Sequence, residues 1–378
     1  MEQVDVLIIG AGVIGLAIAR ELALQGREVV LLERAQQFGT ETSSRSSEVI
    51  HAGLYYTPGG LKARLCVEGR HRLYRYCDER QVAYRRCGKL IVATAESQRT
   101  ALERIEARAQ AAGVFDLQWL DGEQACRLEP AVRCESALLS PETGIIDSHG
   151  LMLALLGEAQ DHGAMLAVSS RFESARVLAG GGFEVRVSMG AAEAGEGGSG
   201  ETLTLRCRTL VNAAGLDASK VARAIEGIDP SSIPDTQFAK GNYFVVTGRC
   251  PFSRLIYPTP NEVGLGVHLT LDLAGQARFG PDVEWVPSIN YDVDPGRCQS
   301  FYDTVRAYWP GLPDGALVPG YSGIRPNLVG PGAPSGDFRL EGPAVHGIPG
   351  LLNLLGMESP GLTACLAIAR EACARLDG

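Results

Sequence analysis

The sequence is poor in the features that mark several large protein classes. It has no long Lys/Arg run, and 44 acidic against 35 basic residues leave a formal charge of −9, so there is no basic track for the phosphates of a nucleic acid. Its ten cysteines, Cys66, Cys77, Cys87, Cys126, Cys134, Cys207, Cys250, Cys298, Cys365 and Cys373, include no C-x-x-C pair, and no His-x-His or Cys/His cluster has zinc spacing. No metal is expected; reduced, mostly buried thiols are, and with them a cytoplasmic setting. Long apolar runs are also missing. The stretch from Val6 to Leu24 follows Glu2 and Asp5 and is broken by Gly10, Gly12 and Gly15, so it reads neither as a secretory signal nor as a membrane span. No heptad or long amphipathic surface helix announces a partner or an anchor; peripheral membrane association and oligomeric state stay open.

What is present is the profile of a packed enzyme: 45% hydrophobic and 21% charged residues over 378 positions, more than one core comfortably serves. The pattern predicts an α/β fold, with a Rossmann-like dinucleotide domain built on a parallel sheet and a mixed or antiparallel β-sheet substrate domain. The predicted boundaries are 1–80, 145–235 and 320–378 for the first, and 81–144 and 236–319 for the second. Val4 to Ile9 and Val29 to Leu32 are short apolar strands flanking a helix from Val13 to Gln25, a βαβ unit. A helix is expected over 60–80, a strand pair over 82–94, and helices over 96–112, 122–127 and 149–162. A returning strand is expected over 164–168. Residues 179–200 suggest a β-ribbon with a flexible tip near 191–200. Strands over 241–247, 254–257 and 264–269 suggest an antiparallel sheet. A helix over 301–308, a strand over 351–355 and a helix over 361–375 complete the pattern.

The most specific motif is Gly10-Ala11-Gly12-Val13-Ile14-Gly15, a G-x-G-x-x-G directly after a strand and opening a helix. Gly10 allows the tight turn, Gly12 lets a pyrophosphate approach the backbone, and Gly15 permits close helix packing, while Glu33, followed by Arg34, ends the second strand where an acid can accept from a ribose. This fingerprint does not separate FAD from NAD. Three later features favour FAD. Thr209-Leu210-Val211-Asn212-Ala213-Ala214-Gly215 is an apolar strand ending in small residues, where a bulky cofactor can pass. Thr42-Ser43-Ser44-Arg45-Ser46-Ser47 is a hydroxyl-rich loop suited to pyrophosphate oxygens. Gly356-Met357-Glu358-Ser359-Pro360-Gly361-Leu362-Thr363 starts the last helix, whose positive end suits the charge that develops on a reduced flavin.

The run Ser44-Arg45-Ser46-Ser47-Glu48-Val49-Ile50-His51-Ala52-Gly53-Leu54-Tyr55-Tyr56-Thr57-Pro58-Gly59-Gly60-Leu61-Lys62-Ala63 resembles the L-2-hydroxyglutarate oxidase and dehydrogenase branch of the D-amino-acid-oxidase-like (DAO) flavoenzymes. The likeness continues through Cys87-Gly88-Lys89-Leu90-Ile91-Val92-Ala93, Thr143-Gly144-Ile145-Ile146-Asp147 and Gly266-Val267-His268-Leu269-Thr270. It implies a non-covalent FAD, with Gly10, Gly12, Gly15 and Glu33 at its adenosine half, the Ser46 to Gly53 segment at its flavin, and a mixed sheet roofing the flavin. The chain departs from the family pattern at Lys240-Gly241-Asn242-Tyr243, where an arginine precedes the Gly-x-Tyr, and at Gly323-Ile324-Arg325-Pro326. Since lysine is a point charge without the bidentate fork, the substrate is expected to be L-2-hydroxyglutarate or a close relative.

Oxidation of such a 2-hydroxy acid to the 2-oxo acid needs the Cα–H facing flavin N5 and a base for the hydroxyl proton. His51 and His268 are the candidates for that base. Arg325 is the candidate carboxylate clamp, with hydrogen bonds from Lys240, Tyr56 and Tyr257. The partners expected are a small carboxylate substrate and an electron acceptor, O2 or a quinone. Competing readings on the same scaffold are an amine or amino-acid oxidase of the glycine, sarcosine or D-amino-acid type and a glycerol-3-phosphate dehydrogenase-like enzyme. An NAD-linked dehydrogenase and a non-catalytic flavin-binding protein are the more distant ones.

Overall fold

The computed structural model describes residues 2–190, 201–260, 266–333 and 336–377. The chain forms two compact units, one from Met1–Ser44, Ser148–Phe238 and Arg325–Gly378, the other from Arg45–Asp147 and Ala239–Ile324.

The core of the first unit is a parallel sheet. Glu2–Ile9 lies between Val29–Leu32 on one side and Glu201–Asn212 on the other, with Met165–Ala167 beyond the former and Leu351–Leu355 beyond the latter. Strand order therefore reverses at the first strand, and the turn that follows Ile9 opens at a switch point, where α/β sheets place their ligands. Near-continuous apolar strands are what a sheet covered on both faces requires, and Val6, Leu7, Ile8, Val29 and Leu31 are fully buried. The helix Val13–Leu24 packs against Ser148–Asp161 and Gly361–Asp377. Ser170–Val177, Phe183–Met189 and the first half of Glu201–Asn212 form the expected antiparallel ribbon. Its predicted tip at 191–200 lies outside the described residues.

The second unit is built on a nine-stranded sheet whose middle runs Gln237–Val246, Ala277–Phe279, Leu269–Leu271, Leu255–Pro258, Lys89–Ala93 and Ser136–Ser140. Phe244, Phe279, Phe301 and Tyr308 fill its core. A small sheet joins Val49–Ile50, Gly144–Ile146 and Tyr84–Arg85.

Two strand expectations are corrected. The segment 82–94 is not a strand pair. Gly88 adopts φ +75° and its N–H donates to the Thr143 carbonyl, so the chain turns, sending Tyr84–Arg85 to the small sheet and Lys89–Ala93 into the large one. The strand expected over 264–269 begins only at Leu269, after Gly266 at φ +76°, and residues 261–265 lie outside the described set. The large sheet is mixed, one of the two forms expected, because Leu255–Pro258 runs parallel to Lys89–Ala93. In addition, residues 45–80, including the helix Leu61–Arg80, belong to the second compact unit, whereas the sequence reading extended the nucleotide segment to 80.

Candidate active site

In the first unit the glycine turn is a shape that side chains cannot occupy. Gly10 has φ +98°, and a Cβ there would lie 2.6 Å from the Ala213 carbonyl oxygen; one on Gly15 would lie 2.0 Å from the carbonyl oxygen of Gly10. The small Ala213-Ala214-Gly215 segment thus serves the turn directly. Gly12 caps the helix Val13–Leu24 without a side chain, and Ser43 Oγ accepts from the Val13 N–H at 3.0 Å. No acidic residue occupies the helix's first turn, so its positive end is not neutralised.

Glu33 accepts from the N–H groups of Ala11 at 3.0 Å and Ala35 at 2.9 Å. Burial raises its pKa, the two backbone donors opposing that. Two donors leave lone pairs available to a sugar hydroxyl. The Arg34 guanidinium, in contrast, is held in ion pairs to Asp217 and Glu41. Ser44 Oγ donates to the Glu41 carbonyl.

Beside the same turn, Gly361 opens the last helix with its Cα hydrogen facing Ile14, a Cβ there falling 3.8 Å from Ile14 Cδ1. Thr363 is fully buried, Pro360 is buried, and Glu358 and Leu362 are partly buried. Arg325, in the strand Leu317–Asn327, is partly buried, and among the described residues its guanidinium has no carboxylate partner.

In the second unit the loop after Ser44 is held tightly. Arg45 donates to the Ser322 carbonyl at 3.3 Å and lies over the Tyr291 ring at 3.8 Å, while its buried Nε has no hydrogen-bond partner among the described residues. A Cβ on Gly323 would lie 2.4 Å from the Arg45 carbonyl oxygen, so that glycine serves backbone packing. Ser46 accepts from Tyr321 Oη through its carbonyl at 2.8 Å. Beyond Ser47, Val49 and Ile50 pair with Gly144 and Ile145, delivering His51 to the end of the small sheet.

His51 stands in a cluster that unites several predicted residues. Burial, and secondarily the charge of Lys89, push its pKa down to about 3, so the ring is neutral at pH 7. The Lys89 ammonium lies 4.8 Å from the Tyr55 ring centroid and 4.7 Å from that of Tyr257. Tyr257 in turn stacks face to face on His268, ring centroids 3.6 Å apart. Tyr56 is partly buried in the same loop. Lys240 does not join them. Its Nζ donates to the Asp292 carbonyl and lies 3.8 Å from Glu284, whose neighbours Asn242 and Arg297 complete a structural charge cluster.

Sequence reasoning missed Lys89 and Tyr55 as site residues, although both lie within its quoted motifs. A usable signal existed: Lys89 opens a strand, Lys89-Leu90-Ile91-Val92-Ala93, in which every residue is buried, and lysine is almost never fully buried without a reason.

Known proteins resemble this chain in both sequence and fold. The description "DAO: FAD dependent oxidoreductase" matches residues 5–375. The chain is 44% identical to the L-2-hydroxyglutarate dehydrogenase, mitochondrial, of Arabidopsis thaliana over 98% of its own length and 83% of that protein. It is 34% identical to the Caenorhabditis elegans protein of the same name over 75% of its length, spanning 64% of that relative. Among solved structures, the FAD-bound L-alpha-glycerophosphate oxidase of Mycoplasma pneumoniae superposes with a TM-score of 0.86 at 26% identity, covering all of this chain and 96% of that one. A glycine oxidase from Geobacillus kaustophilus shares the fold, with a TM-score of 0.80 at 19% identity. The chain belongs to the DAO family of FAD-dependent oxidoreductases.

FAD is its cofactor, and the first unit suits one: a turn emptied of side chains, a helix start with no acidic residue in its first turn, and a carboxylate with lone pairs to spare. Among the described residues no metal cluster occurs, and no helix is long and apolar enough to cross a membrane.

Proposed function

We propose that the protein oxidises L-2-hydroxyglutarate, or a close 2-hydroxy-acid relative, to the 2-oxo acid. The observation that carries this reading is the grouping of neutral His51, the Tyr257–His268 stack and the buried Lys89 in one cluster of the second unit. The relatives named for that reaction support the substrate. Gly10, Gly12, Val13, Ile14, Gly15, Glu33 and Ser43 hold the dinucleotide's adenosine and phosphate part, and the Ser46 to His51 segment and the start of the last helix serve the flavin. Bound FAD supplies the two-electron acceptor for the substrate's Cα–H. The protein supplies the proton acceptor: an imidazole, that of His51 or of His268, takes the hydroxyl proton. Arg325, which has no carboxylate partner among the described residues, clamps a substrate carboxylate through two parallel N–H donors.

The test is anaerobic bleaching of the purified yellow protein by L-2-hydroxyglutarate, other 2-hydroxy acids and 2-amino acids. Bleaching by amino acids with release of ammonia, and none by hydroxy acids, overturns the reading. A second reading, oxidation of glycerol 3-phosphate, is favoured by the likeness to the glycerophosphate oxidase, so that compound belongs in the same screen. Reoxidation by O2 or by a soluble quinone analogue identifies the acceptor. The ten cysteines form no disulfide among the described residues, which supports a reducing compartment such as the cytoplasm.

A further inference from the structure

Lys89 is 1% exposed, and among the described residues no carboxylate lies within ion-pair distance of its ammonium. Its named neighbours are aromatic or neutral. The tyrosine faces at 4.7 and 4.8 Å offer a cation some compensation, about 0.5–2 kcal/mol each, far below the several kcal/mol that desolvating an ion costs. The titratable groups facing it are His51 and Tyr55 from the loop, Cys66 from the helix Leu61–Arg80 with Arg70 one turn on, and Tyr257 with its stacked His268. Burial pushes the Cys66 thiol up to about 12 and raises both tyrosines, so none of these three is an anion at pH 7.

A buried cation with no counter-ion is costly and persists where a ligand completes it. We infer that Lys89 is the cation that receives a carboxylate of the substrate, a specificity-determining residue that completes its ion pair only when the acid binds. This rests on the proposed function, and it assigns to Lys89 the role that sequence reasoning had offered to Lys240. Desolvation holds the Lys89 amine at about 7, so the free protein is largely without this charge at pH 8, and an arriving carboxylate draws a proton onto it.

The test uses the FAD-loaded protein and glutarate, a dicarboxylate with no hydroxyl to oxidise, followed by flavin absorbance changes and by calorimetry in two buffers of different ionisation enthalpy. The parent protein should take up close to one proton on binding glutarate at pH 8 and little at pH 6. Lys89→Met should bind glutarate on the order of ten- to a hundredfold more weakly and lose that uptake. Ligand-free Lys89→Met should also melt higher than the parent, since it removes an amine that must give up its proton to be buried, whereas a structural lysine would melt lower when lost. Undiminished glutarate binding by Lys89→Met overturns the inference, as does absence of proton uptake by the parent at pH 8, a measurement that needs no variant. If L-2-hydroxyglutarate bleaches the parent while Lys89→Met binds normally, only the lysine's role fails. If the parent is not bleached and shows no response to glutarate, the proposed function itself fails.

Discussion

The two units solve different problems. The glycine turn of the first is held by backbone: Gly10, Gly15 and Ala213 approach so closely that a single methyl group collides with a carbonyl oxygen. The cluster of the second is held by side chains drawn from a loop, a helix and two strands, with Lys89, Tyr257 and His268 touching through ring faces and charge. Backbone sites tolerate almost no change and are specified locally. Side-chain sites tolerate change in structure and lose chemistry instead.

Gly15→Ala should break the first region outright, because its Cβ would lie 2.0 Å from the Gly10 carbonyl oxygen. Little folded yellow protein is expected, and flavin content per chain measures it; normal loading would refute the backbone account. Exchanging a side chain in the second region should leave the yellow protein intact. Whichever of His51→Ala and His268→Ala removes the base should slow anaerobic flavin reduction by roughly 10²–10⁴-fold, and parent rates in both would remove the imidazole from the mechanism.

Arg325→Ala should raise the substrate KM by about tenfold or more while sparing the melting temperature, as expected for a cation whose partner is the substrate. Lys240→Met is the converse: its ammonium sits beside Glu284 and the Asp292 carbonyl, so stability should fall by about 1–3 kcal/mol with KM unchanged. A higher KM with unchanged stability would return Lys240 to the substrate site.

The smallest effect concerns acid. His51 is held at about 3 in the fold against an ordinary value of 6.5, so between those values the unfolded chain binds more protons. Stability from this group is full above pH 6.5 and declines as pH falls towards 3. Denaturant unfolding at pH 7 and pH 4.5 should show a smaller loss for His51→Asn than for the parent.

Much of the first region was legible. The G-x-G-x-x-G between a strand and a helix, Glu33 at the end of the second strand, and Ser43 near the turn each occupy positions set by short-range geometry, and the structure brings them together. Arg34 was less legible, because its partners Asp217 and Glu41 are decided by folding. In the second region His51 and His268 were named from their motifs and Tyr257 as a hydrogen-bond donor, yet Lys89 was passed over inside one of those motifs and Lys240 was credited with a substrate role. A lysine's charge is visible in sequence; whether a carboxylate meets it is not. The strand pair expected over 82–94 failed for a related reason, since Gly88 sends its two halves to sheets whose other strands are distant in sequence.

The amino-acid sequence by itself determined the dinucleotide turn and the order of elements around it, since strand, glycine turn and helix start depend on neighbours a few residues apart. Only the tertiary structure decided which charged groups are neutralised and which are left waiting. That outcome depends on burial and on partners delivered from remote segments, as Glu284 is to Lys240 and as none among the described residues is to Lys89.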